Sequence, residues 1–154
     1  MRVTAANIHL VPTGFRNGVI LELETDAGIA GIGEAGIAYG AGPRAAAEMV
    51  REMVERFVLG QDPARIEAIW SRIYDVGFWT KGAGAIVMAG LSAIDIALWD
   101  IKGKLLGAPV HVLMGGAVAD ELPVYANGWW VGCTDIAAYA DAAAATVERG
   151  YRAL

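Results

Sequence analysis

The run Pro12-Thr13-Gly14-Phe15-Arg16-Asn17 sets an aromatic ring beside a guanidinium in a turn-forming context. Arg16 could pair with an anionic ligand through its fork of N–H donors, Phe15 could exclude water over it, and Thr13 adds a hydroxyl. That reading makes the loop a lid; the competing reading is a solvated surface loop. A second stretch, Gly77-Phe78-Trp79-Thr80-Lys81-Gly82, holds two adjacent aromatics between glycines, so Trp79 either lines a pocket mouth or packs. A third, Asn127-Gly128-Trp129-Trp130, joins an amide to two indoles. Cys133 follows it, at the expected start of a helix whose dipole would favour a thiolate; a buried, inert cysteine is the alternative.

Other polar residues do not assemble into chemistry. Gly31-Ile32-Gly33-Glu34-Ala35-Gly36 is rich in glycine, but it does not open a helix after a parallel strand, as a phosphate cradle requires. Close backbone packing at a strand end explains it better. Asp95 and Asp100 lie on different faces of one predicted helix and cannot share a metal, so capping or salt-bridge roles are expected. His9 and His111 have no ligand-spaced partner. No residue of the chain is assigned as catalytic or as a metal ligand.

The elements that must position these loops follow from periodicity. Val3–Val11 reads as a first strand ended by Pro12-Thr13-Gly14, which makes residues 12–17 long for a plain hairpin. In Val19–Thr25, Val19, Leu21 and Leu23 alternate with polar or outward positions, the period of a half-buried strand. Asp26-Ala27-Gly28 turns the chain into a third strand, Ile29–Ala35. From Pro43 the period becomes helical, with Met49, Val50, Met53, Val54, Phe57 and Val58 on one face. Asp62-Pro63 is expected to cap a second helix with face Ile66, Ile69, Trp70 and Ile73. A third helix, Ala85–Leu106, carries Val87, Leu91, Ile94, Leu98, Ile101 and Leu105, and Gly107 and Pro109 end it. Pro123–Asn127 then reads as a strand and Thr134–Arg149 as an Ala-rich helix closed by Gly150 in a left-handed conformation. Tyr151-Arg152-Ala153-Leu154 would start another strand, giving a βαβ unit cut before its second strand can pair. On this reading Asn127 and Trp129 stand at the C-terminal end of a first barrel strand, where (β/α)-barrel enzymes place substrate contacts.

Of the 154 residues, 56% are hydrophobic and 19% charged, which points to a heavily buried globular chain. The net charge is −5 and the basic residues are scattered, so nucleic acid is not expected as a partner. The single cysteine excludes an intramolecular disulfide and suits a reducing cytoplasm. The apolar run Ala83–Trp99 is interrupted by Ser92 and Asp95, and no secretory signal opens the chain, so no membrane partner is expected.

The stretch Ser92-Ala93-Ile94-Asp95-Ile96-Ala97-Leu98-Trp99-Asp100-Ile101-Lys102-Gly103-Lys104, continuing through Leu105-Leu106-Gly107-Ala108-Pro109-Val110 to Leu113-Met114-Gly115-Gly116, resembles the mandelate racemase/muconate lactonizing branch of the enolase superfamily. Gly90 stands where that family often has alanine, a mild departure. The strand meander, the Gly33-Glu34-Ala35 turn and Tyr125-Ala126-Asn127-Gly128-Trp129 agree, so the resemblance covers essentially the whole chain. Within the branch, Tyr74-Asp75-Val76-Gly77-Phe78-Trp79 is similar to acid-sugar dehydratases of the galactonate type.

The resemblance implies an α+β capping domain, a three-stranded antiparallel meander plus a helical cluster, over residues 1–116, followed by the first βα unit of a truncated (β/α) barrel over 117–154. It implies a Mg²⁺ held by three carboxylates on successive barrel strands, a Lys or His base that removes the proton alpha to the substrate carboxylate, and an enediolate stabilised by the metal. The base and the metal carboxylates would follow Leu154, so no catalytic residue and no metal ligand is expected here. Thr13, Phe15, Arg16, Trp79, Asn127 and Trp129 remain as substrate-contact candidates. The implied whole protein is a cytoplasmic homo-oligomer acting on a small carboxylate substrate, a sugar acid, and the 154-residue chain alone is expected to be inactive. Competing readings are a racemase or cycloisomerase of the same branch, and a non-catalytic module that binds an acid sugar or caps a separate barrel.

Overall fold

The computed structural model describes residues 1–14, 16–82 and 84–154. The chain divides into two compact units, Met1–Gly116 and Ala117–Leu154.

The first unit opens with an antiparallel meander, β1 (Val3–Pro12), β2 (Asn17–Thr25) and β3 (Ala30–Ala35), in the order β1-β2-β3. Val19, Leu21 and Leu23 of β2 are fully buried, so the expected period of two places the central strand's apolar side on the core. β1 runs to Pro12, which pairs with Asn17. The connection is therefore a four-residue hairpin loop, shorter than the sequence suggested. Pro12 is accommodated because β1 is an edge strand and its last position asks little of the missing N–H.

Against this sheet pack α1 (Gly42–Met53) and α3 (Ala85–Leu106), and α2 (Ile66–Ser71) packs on α3. Helix α1 continues as a π-helical turn over Val54–Val58, closed by Leu59 N–H to the Val54 carbonyl at 3.0 Å. Helix α2 likewise runs on through Arg72–Val76. One core gathers Val50, Met53 and Val54 from α1 and its extension, Ile69 and Ile73 from the second helical stretch, and Leu91, Ile94, Leu98 and Ile101 from α3. Each such side chain contributes about 1.5–3 kcal/mol of burial. Leu105 departs from the expected stripe and is exposed. Asp62 does not cap α2. Its Oδ1 accepts the Ala64 N–H at 3.0 Å and its carbonyl accepts the Arg65 N–H, so Asp62-Pro63 makes a turn and the helix starts after Arg65.

Glycine explains how closely α3 approaches β3. A Cβ on Gly33 would lie 2.9 Å from the Ala93 carbonyl carbon and 3.0 Å from the Ala97 nitrogen, and closer still to the Ala93 oxygen. The glycine-rich run thus serves helix–sheet contact, as its position predicted. At that distance α3 also covers the outer edge of β3. Asp100 Oδ2 accepts the Ile32 N–H at 2.8 Å, Lys104 Nζ donates to the Ala30 carbonyl at 2.7 Å, and the two side chains pair at 2.7 Å. An ion pair therefore occupies backbone groups that would otherwise template another strand.

Asp95, on the same helix, differs from expectation. It is half-buried and makes no capping bond or salt bridge among the described residues. Burial holds its carboxyl above the usual aspartate range, and the Glu67 charge adds to the effect. The folded state therefore binds this proton more tightly than the unfolded chain does. Stability contributed here is highest in acid and falls as pH rises from the unfolded value through the raised folded one. Asp95→Asn is expected to remove that fall, so that denaturant midpoints of variant and parent diverge in the variant's favour on going from acid to pH 7. A parallel pair of curves would contradict this account.

Helix α4 (Val110–Leu113) follows Pro109 and closes the first unit. In the second unit, α5 (Ile136–Glu148) is capped by Asp135, whose Oδ1 accepts the Ala138 N–H at 2.9 Å. Gly150 follows it with φ +96°, the left-handed stop the sequence predicted. The strand expected over Pro123–Asn127 is reduced to one ladder bond, Ala126 N–H to the Ala153 carbonyl at 2.9 Å. A regular strand needs a neighbour along its length, and residues 151–154 supply only this bond. Among the described residues no helix is long and apolar enough to cross a membrane.

Candidate functional site

The β1–β2 loop is the best-organised candidate. Thr13 N–H donates to the Arg16 carbonyl at 2.8 Å, closing the loop on itself. Asn17 N–H donates to the Ala38 carbonyl at 2.9 Å, which ties the loop's base to the segment after β3. The Arg16 guanidinium carbon then lies 4.8 Å from the centre of the Tyr39 ring. A cation over a ring face keeps its charge while losing freedom, and Arg16, so held, is exposed. Phe15, the proposed water-excluding partner, lies outside the described residues. Tyr39 was not foreseen, since nothing in Ala38-Tyr39-Gly40 marks an aromatic platform before the hairpin is folded.

Trp79 sits on a turn whose backbone is fixed. Thr80 Oγ1 lies among the carbonyls of Ile73, Tyr74 and Gly77, 2.7 Å from that of Gly77, and Thr80 N–H donates to the same Gly77 oxygen at 3.1 Å. The indole is 86% exposed and meets Phe78 edge-to-face at 5.0 Å, so it is presented outward from this turn and is not part of the core.

In the second unit, Asn127 is exposed and Trp129 half-buried. The Trp129 ring packs edge-to-face with Trp130 at 5.6 Å and Tyr139 at 6.3 Å, which fixes the indole against the first turn of α5. Cys133 precedes α5, and Asp135 occupies the helix N-terminus; the Cys133 Sγ donates to the Ala138 carbonyl at 3.5 Å. Among the described residues no group of three or more His, Cys, Asp or Glu side chains could hold a metal ion. The donor set of a Mg²⁺ centre is therefore not found here, and no chemical step is assigned to such an ion on this chain.

A three-stranded antiparallel meander backed by helices defines an α+β domain. The chain belongs to the mandelate racemase/muconate lactonizing enzyme family, whose N-terminal domain matches residues 7–115. It is 37% identical to a D-mannonate dehydratase of Novosphingobium aromaticivorans, covering 100% of this chain and 36% of the relative. It is 38% identical to a D-galactonate dehydratase of Verminephrobacter eiseniae, covering 98% and 37%. A solved structure from Mesorhizobium loti superimposes with a TM-score of 0.95 at 49% identity, covering 98% of this chain and 40% of that one. An enolase from Pantoea ananatis, solved with bound D-gluconate and Mg, gives a TM-score of 0.81 at 34% identity, covering 98% and 35%. The chain thus spans little more than a third of the length of the curated relatives it matches. The family resemblance read from the Ser92–Gly116 stretch is borne out, and so is the likeness to acid-sugar dehydratases read from Tyr74–Trp79.

Proposed function

We propose that these residues serve a Mg²⁺-dependent acid-sugar dehydratase, with 1–116 as its capping domain and 117–154 as the beginning of its barrel. The observation that supports this most is that dehydratases of sugar acids match over nearly the whole chain. The substrate class is an aldonic acid such as mannonate, galactonate or gluconate; the first two are named in relatives and the third is bound in a structural neighbour.

Within that reaction the chain's own residues bind and orient. Arg16, steadied by Tyr39, supplies a fixed positive charge to the anionic substrate, and Thr13 holds the loop closed beneath it. Trp79, Asn127 and Trp129 are proposed as further substrate contacts, and Phe15 as the water-excluding ring. Removing the proton alpha to the carboxylate and expelling the beta hydroxyl as water leaves an enol, which becomes a 2-keto-3-deoxy acid. The implied protein is a cytoplasmic homo-oligomer. The test is an assay of the proposed full-length dehydratase, of which these residues are the front part, with D-mannonate, D-galactonate and D-gluconate in the presence of Mg²⁺, reading 2-keto-3-deoxy acid. Formation of that product, abolished by chelation, is expected. Epimerisation without loss of water would replace the dehydratase with a racemase, and binding without turnover would leave a non-catalytic module.

A further inference from the structure

At the end of β1 remote from the Arg16 loop, three distant segments converge on a cleft of about 540 Å³. Its walls carry Arg2, Arg65 and Arg72 together with Asp26, Gln61 and Asp62. The walls are pinned by backbone bonds. Arg2 N–H donates to Asp26 Oδ1 at 2.8 Å and Asp26 N–H returns to the Arg2 carbonyl at 3.0 Å. Val3 N–H reaches the Gln61 carbonyl at 3.0 Å, and Gly60 N–H reaches the Val3 carbonyl at 2.9 Å.

The charges in this cleft are not paired with one another. The Arg2 guanidinium donates to the Gly60 carbonyl at 2.6 Å, and that of Arg72 to the neutral Gln61 Oε1 at 3.0 Å. Arg65 has no hydrogen bond or ion pair from its side chain among the described residues. Asp26 and Asp62 are meanwhile engaged with the backbone N–H groups of Arg2 and Ala64. In a chain of net charge −5, this is a pocket where three guanidiniums face two carboxylates and none of the five forms an ion pair among the described residues.

We propose that this cleft binds a small polyhydroxylated anion, remote from the Arg16 loop. The guanidiniums suit a carboxylate or phosphate head, whose oxygens match their forked donors. The remaining lone pairs of Asp26, Asp62 and Gln61 accept from sugar hydroxyls, which a bare inorganic anion cannot supply. The volume falls within the range of small-ligand sites. Ten residues of β1 at about 3.3 Å each separate the cleft from the Arg16 loop by about 30 Å, so occupancy of one does not block the other. The inference does not depend on the proposed activity.

Calorimetric titration of the protein with D-gluconate, glucose 6-phosphate and inorganic phosphate, under chelation, tests it. The tighter of the two sugar ligands identifies the head group, and it should bind at least about tenfold more tightly than inorganic phosphate. Arg65→Gln and Arg72→Gln should each weaken that binding about tenfold, Arg65→Lys less, and Arg56→Gln, an exposed arginine outside the cleft, not at all. Absence of binding by both sugar ligands overturns the proposal. So does inorganic phosphate binding as tightly as they do, or sugar-ligand binding that neither Arg65→Gln nor Arg72→Gln weakens.

Discussion

Gly33→Ala is expected to lower the melting temperature by about 10 °C, from a loss of about 3 kcal/mol, the upper part of the range for overpacking a tight contact. The added methyl meets backbone: the carbonyl group of Ala93 and the amide nitrogen of Ala97. No rotamer change relieves it, since neither atom belongs to a side chain. Relief requires α3 to retreat from β3, and that retreat breaks the Asp100–Ile32 and Lys104–Ala30 bonds that seal the sheet edge. One methyl thus costs both the close contact and the bonds that depend on it. Gly36→Ala is the control, because a Cβ there meets nothing within 4 Å and its φ is not positive. It should stay within about 0.5 kcal/mol of the parent. Thermal melts of the two variants decide the matter: equal melting temperatures would mean that the helix does not rest on the strand through glycine.

That contact also shows what the sequence could express. Gly31 and Gly33 could be read as a packing surface because they alternate on a strand and fail the geometry of a phosphate loop. The limits of α3 were legible from the spacing of Leu91, Ile94, Leu98 and Ile101 and from Gly107. Asp62 was misread because an Asx turn and a helix cap share the same residue types. Only the hydrogen-bond partner, the Ala64 N–H, tells them apart. Pro123–Asn127 has the composition of a strand, yet pairing is a property of two segments and cannot be read from one. The loop holding Arg16 was visible as a combination of residue types, whereas Tyr39 was not. The ring comes under the guanidinium only when Asn17 bonds to Ala38, a contact with no signature in the sequence. Arg65 and Arg72, seven apart at the start and in the middle of one helical stretch, share a facing that the sequence spacing carries. Arg2 could be joined to them only after the strand start met residues 60–61.

Arg16→Ala is expected to reduce kcat/KM for the sugar acid about thirtyfold in the proposed dehydratase. That corresponds to about 2 kcal/mol for one charge-assisted hydrogen bond to the substrate anion. The loss should fall on KM and leave kcat nearly intact. The substrate's negative charge is present before reaction as well as during it, so a cation that holds it stabilises ground and transition states alike. The ring beneath the guanidinium separates holding from charge. Tyr39→Phe keeps a π face under Arg16 and should stay near the parent, whereas Tyr39→Ala removes about 0.5–1 kcal/mol of cation–π attraction. It should therefore raise KM only threefold or so, through a less ordered Arg16. Arg16→Lys retains the charge but not the planar fork, and its KM should lie between those of the parent and Arg16→Ala. Steady-state kinetics on the four variants therefore ranks them by what each removes from one interaction. If Arg16→Ala lowers kcat at unchanged KM, the guanidinium acts on the reacting atoms and not on substrate capture, and the loop is more than a lid. If it changes neither parameter, the substrate anion is held elsewhere, and the Arg16–Tyr39 pair serves only to fix the hairpin against the segment after β3.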